Sequence, residues 1–210
     1  MNKRLKLSCL SLFLALVICS CSSQKKYSYE TVPNDPLKAR IYTLDNGLKV
    51  YLTVNKEPPR IQTFSAVRVG GKNDPAETTG LAHYFEHLMC KGTDNVGTKD
   101  YAAEKPLLDA IEQQFEIYRK TTNEAERKAI YHTIDSLSYE ASKYAIPNEY
   151  DKLMAAIGST GSNAYTWYDQ TVYQEDIPSN QIENLAKIQA DRFENNVIRG
   201  FHTELEAVDE

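Results

Sequence analysis

Cysteine is nearly absent from the part of the chain that can fold. Of four cysteines in 210 residues, Cys9, Cys19 and Cys21 stand in or beside an N-terminal leader, and only Cys90 lies beyond it. One thiol makes no intramolecular disulfide, so the fold must hold by its core in any redox compartment. An excess of positive charge is missing too. Lys and Arg number 24 against 29 Asp and Glu, a net charge of −5. That balance excludes the basic footprint with which proteins hold nucleic acid. No long apolar run follows the leader, and the leader's own run, Leu7 to Ile18, falls short of the roughly 20 residues that span a bilayer. What remains is 41% hydrophobic and 25% charged, which suits one globular domain with an ordinary core.

The leader is a targeting segment and stands outside the fold. Lys3, Arg4 and Lys6 precede the apolar run, which ends Ile18-Cys19-Ser20-Cys21-Ser22-Ser23. An aliphatic residue three before a cysteine, with a small residue just before it, resembles the bacterial lipoprotein signal. Cys21 fits that pattern better than Cys19, which follows the bulky Ile18. The resemblance implies a signal peptide over residues 1–20 and lipidation of Cys21, whose acyl chains would anchor the protein to a membrane of the bacterial cell envelope. Ser22 in place of Asp implies sorting to the outer membrane. An ordinary cleaved secretory signal is the alternative. Residues 21–37 are polar, with Pro33 and Pro36, and read as a tether.

The chemistry lies in Gly80-Leu81-Ala82-His83-Tyr84-Phe85-Glu86-His87. Residues four apart on a helix sit one turn over each other, so His83 and His87 can aim two imidazoles at one point. Imidazole is a good zinc ligand, and a catalytic zinc needs a third protein ligand plus an open position. Glu86 sits beside the two histidines, where its carboxylate can act as general base toward water. The plain alternative is a solvated polar face. Leu81, Phe85, Leu88 and Met89 give the segment an apolar side, and Thr78 or Thr79 can cap its first turn. Cys90, seven residues after His83, is either a third ligand or a small core side chain, and core packing is the better reading.

Three segments together resemble the pitrilysin/insulysin zinc peptidases, which include the mitochondrial processing peptidases. They are the helix just quoted with Lys91-Gly92-Thr93 after it; Ser162-Asn163-Ala164-Tyr165-Thr166 with Asp169-Gln170-Thr171-Val172-Tyr173; and Leu44-Asp45-Asn46-Gly47-Leu48-Lys49-Val50-Tyr51. They span about residues 38–210 in the family's order. The resemblance implies an α+β fold, with a mixed or antiparallel sheet of five or six strands packed by helices on one face. It implies one zinc per domain on His83 and His87, with Glu86 as the catalytic base. It also implies a cleft strand at Asn163, Ala164 and Tyr165, whose edge takes an extended peptide substrate. For these three residues a turn-satisfying Asn and packed aromatics are the alternative.

The rest of the chain fills in that outline. Arg40 to Leu44 and Leu48 to Val54 alternate around Asp45-Asn46-Gly47, a hairpin signal. Ile61 to Val69 reads as a third strand, after a loop at Glu57-Pro58-Pro59. Residues 104–145 depart from the family pattern. Leu107, Ile111, Phe115 and Tyr118, then Ile130, Ile134, Leu137, Ala141 and Tyr144, recur at helical spacing, so the segment reads as an inserted helical hairpin. Thr121 to Glu124 offers a capping box between its two helices. A helix follows over Asn148–Ile157, then paired strands over Ser162–Tyr168 and Thr171–Glu175. Pro178 to Asn195 reads as an amphipathic helix with Ile182, Leu185, Ile188 and Phe193 inward.

The family completes its zinc site with a glutamate on a further helix and supports it with another seven residues earlier. Here that helix is Phe201 to Glu210. The match makes Glu204 the supporting residue and puts the ligand one position past Glu210; a one-residue slip makes Glu210 itself the ligand. Glu206 faces about 100° away from Glu204 and is the weaker candidate. The family's second half, which supplies substrate-binding groups, has no counterpart in these 210 residues. Either the chain is an amino-terminal fragment truncated at its C-terminus, or a separate chain supplies that half. The expected function is zinc metalloendopeptidase action on peptides or unfolded segments. The alternatives are a non-catalytic half that binds peptide or a partner half, and a truncated chain without turnover.

Overall fold

The computed structural model of the chain describes residues 27–55 and 59–201. The leader with Cys21, most of the loop expected at Glu57-Pro58-Pro59, and the residues after Phe201 lie outside the described residues. Two compact units emerge, Met1–Glu57 and Pro58–Glu210.

In the first unit the described residues form a three-stranded antiparallel sheet in the order β1 (Tyr29–Thr31), β2 (Arg40–Thr43), β3 (Lys49–Leu52). The Asp45-Asn46-Gly47 turn closes β2 onto β3 as its residues suggest. Gly47 donates its amide to the Leu44 carbonyl at 2.9 Å and adopts φ 86°, which glycine reaches without strain. Strand β1 lies inside the segment expected to be a tether. The Asp35 side chain turns the chain back by accepting the amides of Leu37 at 3.0 Å and Ala39 at 2.8 Å, so that Tyr29 pairs opposite Tyr42. An Asx turn therefore makes an edge strand out of a polar stretch.

In the second unit β4 (Arg60–Val67), β6 (Thr171–Pro178) and β5 (Thr160–Thr166) form an antiparallel sheet in that spatial order. Among the described residues five α-helices accompany it: α1 (Leu81–Leu88), α2 (Tyr101–Lys120), α3 (Glu124–Ser142), α4 (Glu149–Ala156) and α5 (Ile182–Glu194). The class is α+β, as expected. The single five- or six-stranded sheet is replaced by two three-stranded ones among the described residues. Alternation marks a strand and its buried face; which edges then pair is a tertiary choice.

The core of the second unit joins Tyr150 and Met154 of α4, Ile177 of β6 and Leu185 of α5, with Ile61, Ile157 and Ile188 packed against them. Each fully buried aliphatic side chain contributes about 1.5–3 kcal/mol. The expected inward face of α5 needs correction, because Ile182 and Phe193 are each 44% exposed while Arg192 is 2% exposed. Position 192 lies two turns after Leu185 and shares its face; position 193 is turned about 100° away. The flat guanidinium lies over the rings of Tyr173 and Tyr150, at 4.0 and 4.8 Å, and donates to the Tyr150 hydroxyl at 2.7 Å, while its Nε and Nη2 are buried without a hydrogen-bond partner among the described residues.

The inserted hairpin is α2 and α3, and every apolar position predicted for it is half-buried or buried. Its turn differs from the expected capping box. Asn123 is the N-cap of α3, accepting the Glu126 amide at 3.1 Å, and the Thr121 hydroxyl donates instead to the Ile117 carbonyl at 2.9 Å. Arg127 holds Thr121 at the end of α2 by donating to the carbonyls of Tyr118 and Thr121 at 2.8 and 3.0 Å.

Candidate metal centre

Helix α1 is set by what precedes it. Its N-cap is Gly80, at φ 90°, so neither Thr78 nor Thr79 caps the first turn. Asp74 does so from farther back, its two carboxylate oxygens accepting the amides of Gly80 at 2.8 Å and Ala82 at 2.9 Å. This satisfies two orphan N–H groups and puts negative charge at the positive end of the helix. The preceding loop is tied to the β5–β6 turn, since Gly71 and Lys72 donate their amides to the carbonyls of Trp167 and Tyr168 at 3.0 and 2.8 Å. Gly70 is required there. A Cβ on it would lie 2.3 Å from the Trp167 carbonyl oxygen.

Helix α1 buries Ala82, Tyr84, Glu86 and Leu88. Leu81 and Met89 are half-buried and Phe85 is 46% exposed, so the apolar face is turned from the one expected. That roll leaves His83 exposed and His87 half-buried, with their Nε2 atoms 3.2 Å apart. Two nitrogens at 2.0–2.1 Å from a tetrahedral zinc lie about 3.3 Å from each other. The donor set and spacing therefore fit two of the ligands of one zinc. The pair also has a metal-free reading, a hydrogen bond between the rings when one Nε2 carries its proton.

Glu86 is 7% exposed, and its Oε2 accepts the hydroxyl of Thr166 at the end of β5. Thr171 on β6 lies 3.3 Å from Thr166 and donates its own hydroxyl to the Val69 carbonyl at 3.0 Å. With both hydroxyl protons so committed, the Thr166–Thr171 contact carries no hydrogen of its own. The arrangement holds one carboxylate oxygen of Glu86 in a fixed place.

Cys90 is exposed as a residue, yet its thiol is turned toward the protein, 3.8 Å from the Glu86 carbonyl, where burial raises its pKa, so the expected core packing describes the sulfur and not the whole residue. Among the described residues no group of three or more His, Cys, Asp or Glu side chains gathers as a metal site. Glu204, Glu206 and Glu210 lie outside the described residues. Asn163, Ala164 and Tyr165 lie on β5, an outer strand of its sheet, with Asn163 and Tyr165 exposed and Ala164 half-buried. Ala164 shares a face with Thr166, so the strand runs past Glu86. Two residues were not singled out from sequence. Thr166 lies within a quoted motif, and a Thr two positions after Ala164 was its only signal. Asp74 gave none, because its cap reaches eight residues along the chain.

No family model matches the chain. The insulin-degrading enzyme homolog of Dictyostelium discoideum is 30% identical over 108 residues, 51% of this chain and 11% of that protein. Protease 3 of Escherichia coli strain K12 is 33% identical over 116 residues, 54% of this chain and 10% of its own length. Other matching relatives have "zinc protease" in their names. The chain spans about a tenth of the length of the two curated relatives described. The crystal structure of a protease from Helicobacter pylori shares the fold, with a TM-score of 0.50 at 20% identity, over 87% of this chain and 29% of that one. Over the stretch it spans, the chain is related to the insulinase/pitrilysin-type zinc proteases.

Proposed function

We propose that the chain carries the catalytic residues of a zinc metalloendopeptidase that cleaves peptides or unfolded protein segments. The observation that carries this reading is the pair of Nε2 atoms on His83 and His87, 3.2 Å apart, on the helix that also holds the buried Glu86. His83 and His87 would hold the metal, with Glu210 or the position after it as third ligand and Glu204 in support. When bound, zinc supplies a Lewis acid that polarises a carbonyl and acidifies water.

The chain's own residues do the rest. Glu86, anchored through Oε2 by Thr166, takes a proton from the attacking water and passes it to the departing amine nitrogen. The outward edge of β5 at Asn163, Ala164 and Tyr165 adds an extended peptide by main-chain hydrogen bonds, with side chains fixing its register. A second homologous half, from the same chain or another, closes the cleft over the peptide. Lipid on Cys21 holds the whole in the bacterial cell envelope, at the outer membrane. Among the described residues no helix is long and apolar enough to cross a membrane.

The test is chelator-sensitive cleavage of an unstructured peptide, with Glu86→Gln alongside. The wild-type chain should lose cleavage on chelation and regain it with zinc. Glu86→Gln should bind zinc equally and turn over about 10²–10⁴-fold more slowly. Undiminished cleavage by that variant would remove Glu86 from the role of base.

A further inference from the structure

We propose that the inserted hairpin is a positioning element for the histidine helix. Through Glu104 and Phe115, α2 holds the Arg199–Phe201 segment against Tyr84 of α1. That contact sets the roll at which α1 presents His83 and His87. The inference rests on the zinc reading above and adds to it a role for a segment whose sequence suggested only an insertion.

Two links make the connection. The first is a buried ion pair, Glu104 at 1% and Arg199 at 6% exposure. Arg199 Nε donates to Glu104 Oε1 at 2.7 Å and Nη2 to Oε2 at 2.9 Å, a bidentate pair. Two of the three remaining N–H groups donate to the carbonyls of Thr93, at 2.7 Å, and Val96, at 3.3 Å. The guanidinium is thereby fixed to both α2 and the loop that leaves α1. That loop fits closely around it: a Cβ on Gly92 would lie 3.2 Å from Arg199 Nη1 and 2.2 Å from the Val96 carbonyl oxygen.

The second link is aromatic. Phe115 of α2 meets Phe201 edge to face at 5.4 Å, and Phe201 meets Tyr84 in the same way at 5.4 Å. The Tyr84 hydroxyl donates to the Phe201 carbonyl. Tyr84 is 5% exposed and sits between His83 and Glu86. Rotation of α1 about its axis moves Tyr84, His83 and His87 together. The Tyr84–Phe201 contact and the Glu86–Thr166 hydrogen bond both oppose that rotation. Without Phe115 the Phe201 ring loses its outer support, and one of the two restraints slackens.

The test reads metal affinity directly, by competition of the whole chain against a chromophoric zinc chelator, with the visible spectrum of the cobalt-loaded chain as a second readout. Phe115→Ala and Glu104→Gln should each weaken zinc binding about 10–100-fold, the range for residues that orient metal ligands, and should alter the cobalt bands. Phe115→Leu should recover most of the affinity. Tyr139→Ala, at a position 67% exposed on α3, should leave it unchanged. Wild-type affinity and spectrum in folded Phe115→Ala and Glu104→Gln would overturn the proposal. So would an equal loss in Tyr139→Ala, which would mark general destabilisation. A wild-type chain that takes up neither zinc nor cobalt, even with the weak affinity of the His83–His87 pair alone, would instead overturn the zinc reading, and this inference with it.

Discussion

Asp74 and Ala82 are joined across eight residues by a 2.9 Å hydrogen bond from the Ala82 amide to Asp74 Oδ1, while Oδ2 takes the Gly80 amide. One carboxylate thus does the capping for a helix whose own N-cap is a glycine. Asp74→Ala should destabilise the chain by about 1 kcal/mol, the usual worth of a cap. The loss should appear as a lower midpoint in a urea titration with unchanged slope.

The bond from Thr166 to Glu86 predicts a different signature. A hydrogen bond to a charged group is worth about 1.5–3 kcal/mol, and this one acts on the proposed base. Thr166→Val should lower kcat/KM about 10–100-fold with zinc content unchanged, and Thr166→Ser should keep most of the activity. Steady-state kinetics on an unstructured peptide, with metal analysis of the same samples, checks both.

The buried pair of Glu104 and Arg199 should be strongly asymmetric to mutation. Glu104→Ala leaves a cation at 6% exposure without its carboxylate and should cost about 3–5 kcal/mol. Replacing both residues by Leu and Met should cost much less, because no charge is then stranded. A double-mutant cycle by chemical denaturation gives the coupling.

Acid should weaken the chain at Asp191. Desolvation raises its pKa, but hydrogen bonds from Thr93, Asn195 and Asn95 outweigh that and hold it below the usual carboxylate value. A lowered folded pKa contributes stability that is fully present above the unfolded value, about 3.9, and fades as pH falls through the folded one. Thr93→Val should therefore reduce stability at pH 7 and shrink the loss on acidification below about pH 4. Thermal unfolding across pH 2–7 would show a flatter curve than wild type if the sign is right.

Much of the local structure was legible. The Asn46-Gly47 turn, the inserted hairpin and the strands around the Asn163 and Thr171 motifs follow from turn chemistry and periodicity, which act over a few residues. Errors fell where a distant group decided the outcome. Asp35 folded a strand out of the expected tether. The side chain of Arg192, stacked on Tyr173 and Tyr150, took the inward place assigned to Phe193. Arg127, reaching back to Tyr118 and Thr121, moved the cap to Asn123. A charged residue inside a helix reads as surface until its ring partners are known.

The sequence alone determined the proposed reactive constellation, because His83, Glu86 and His87 lie within five residues and helical spacing is enough to bring the two histidines together. It also determined the α+β class, since the period of apolar residues separates helices from strands. Tertiary structure decided the roll of that helix, which buries Glu86 and Tyr84 and leaves Phe85 exposed. It chose Thr166 as the partner of Glu86, 80 positions away. It also tied the inserted hairpin to the site through Arg199 and Phe201. Such pairings depend on which faces meet in three dimensions, and residue spacing along a chain carries no record of that.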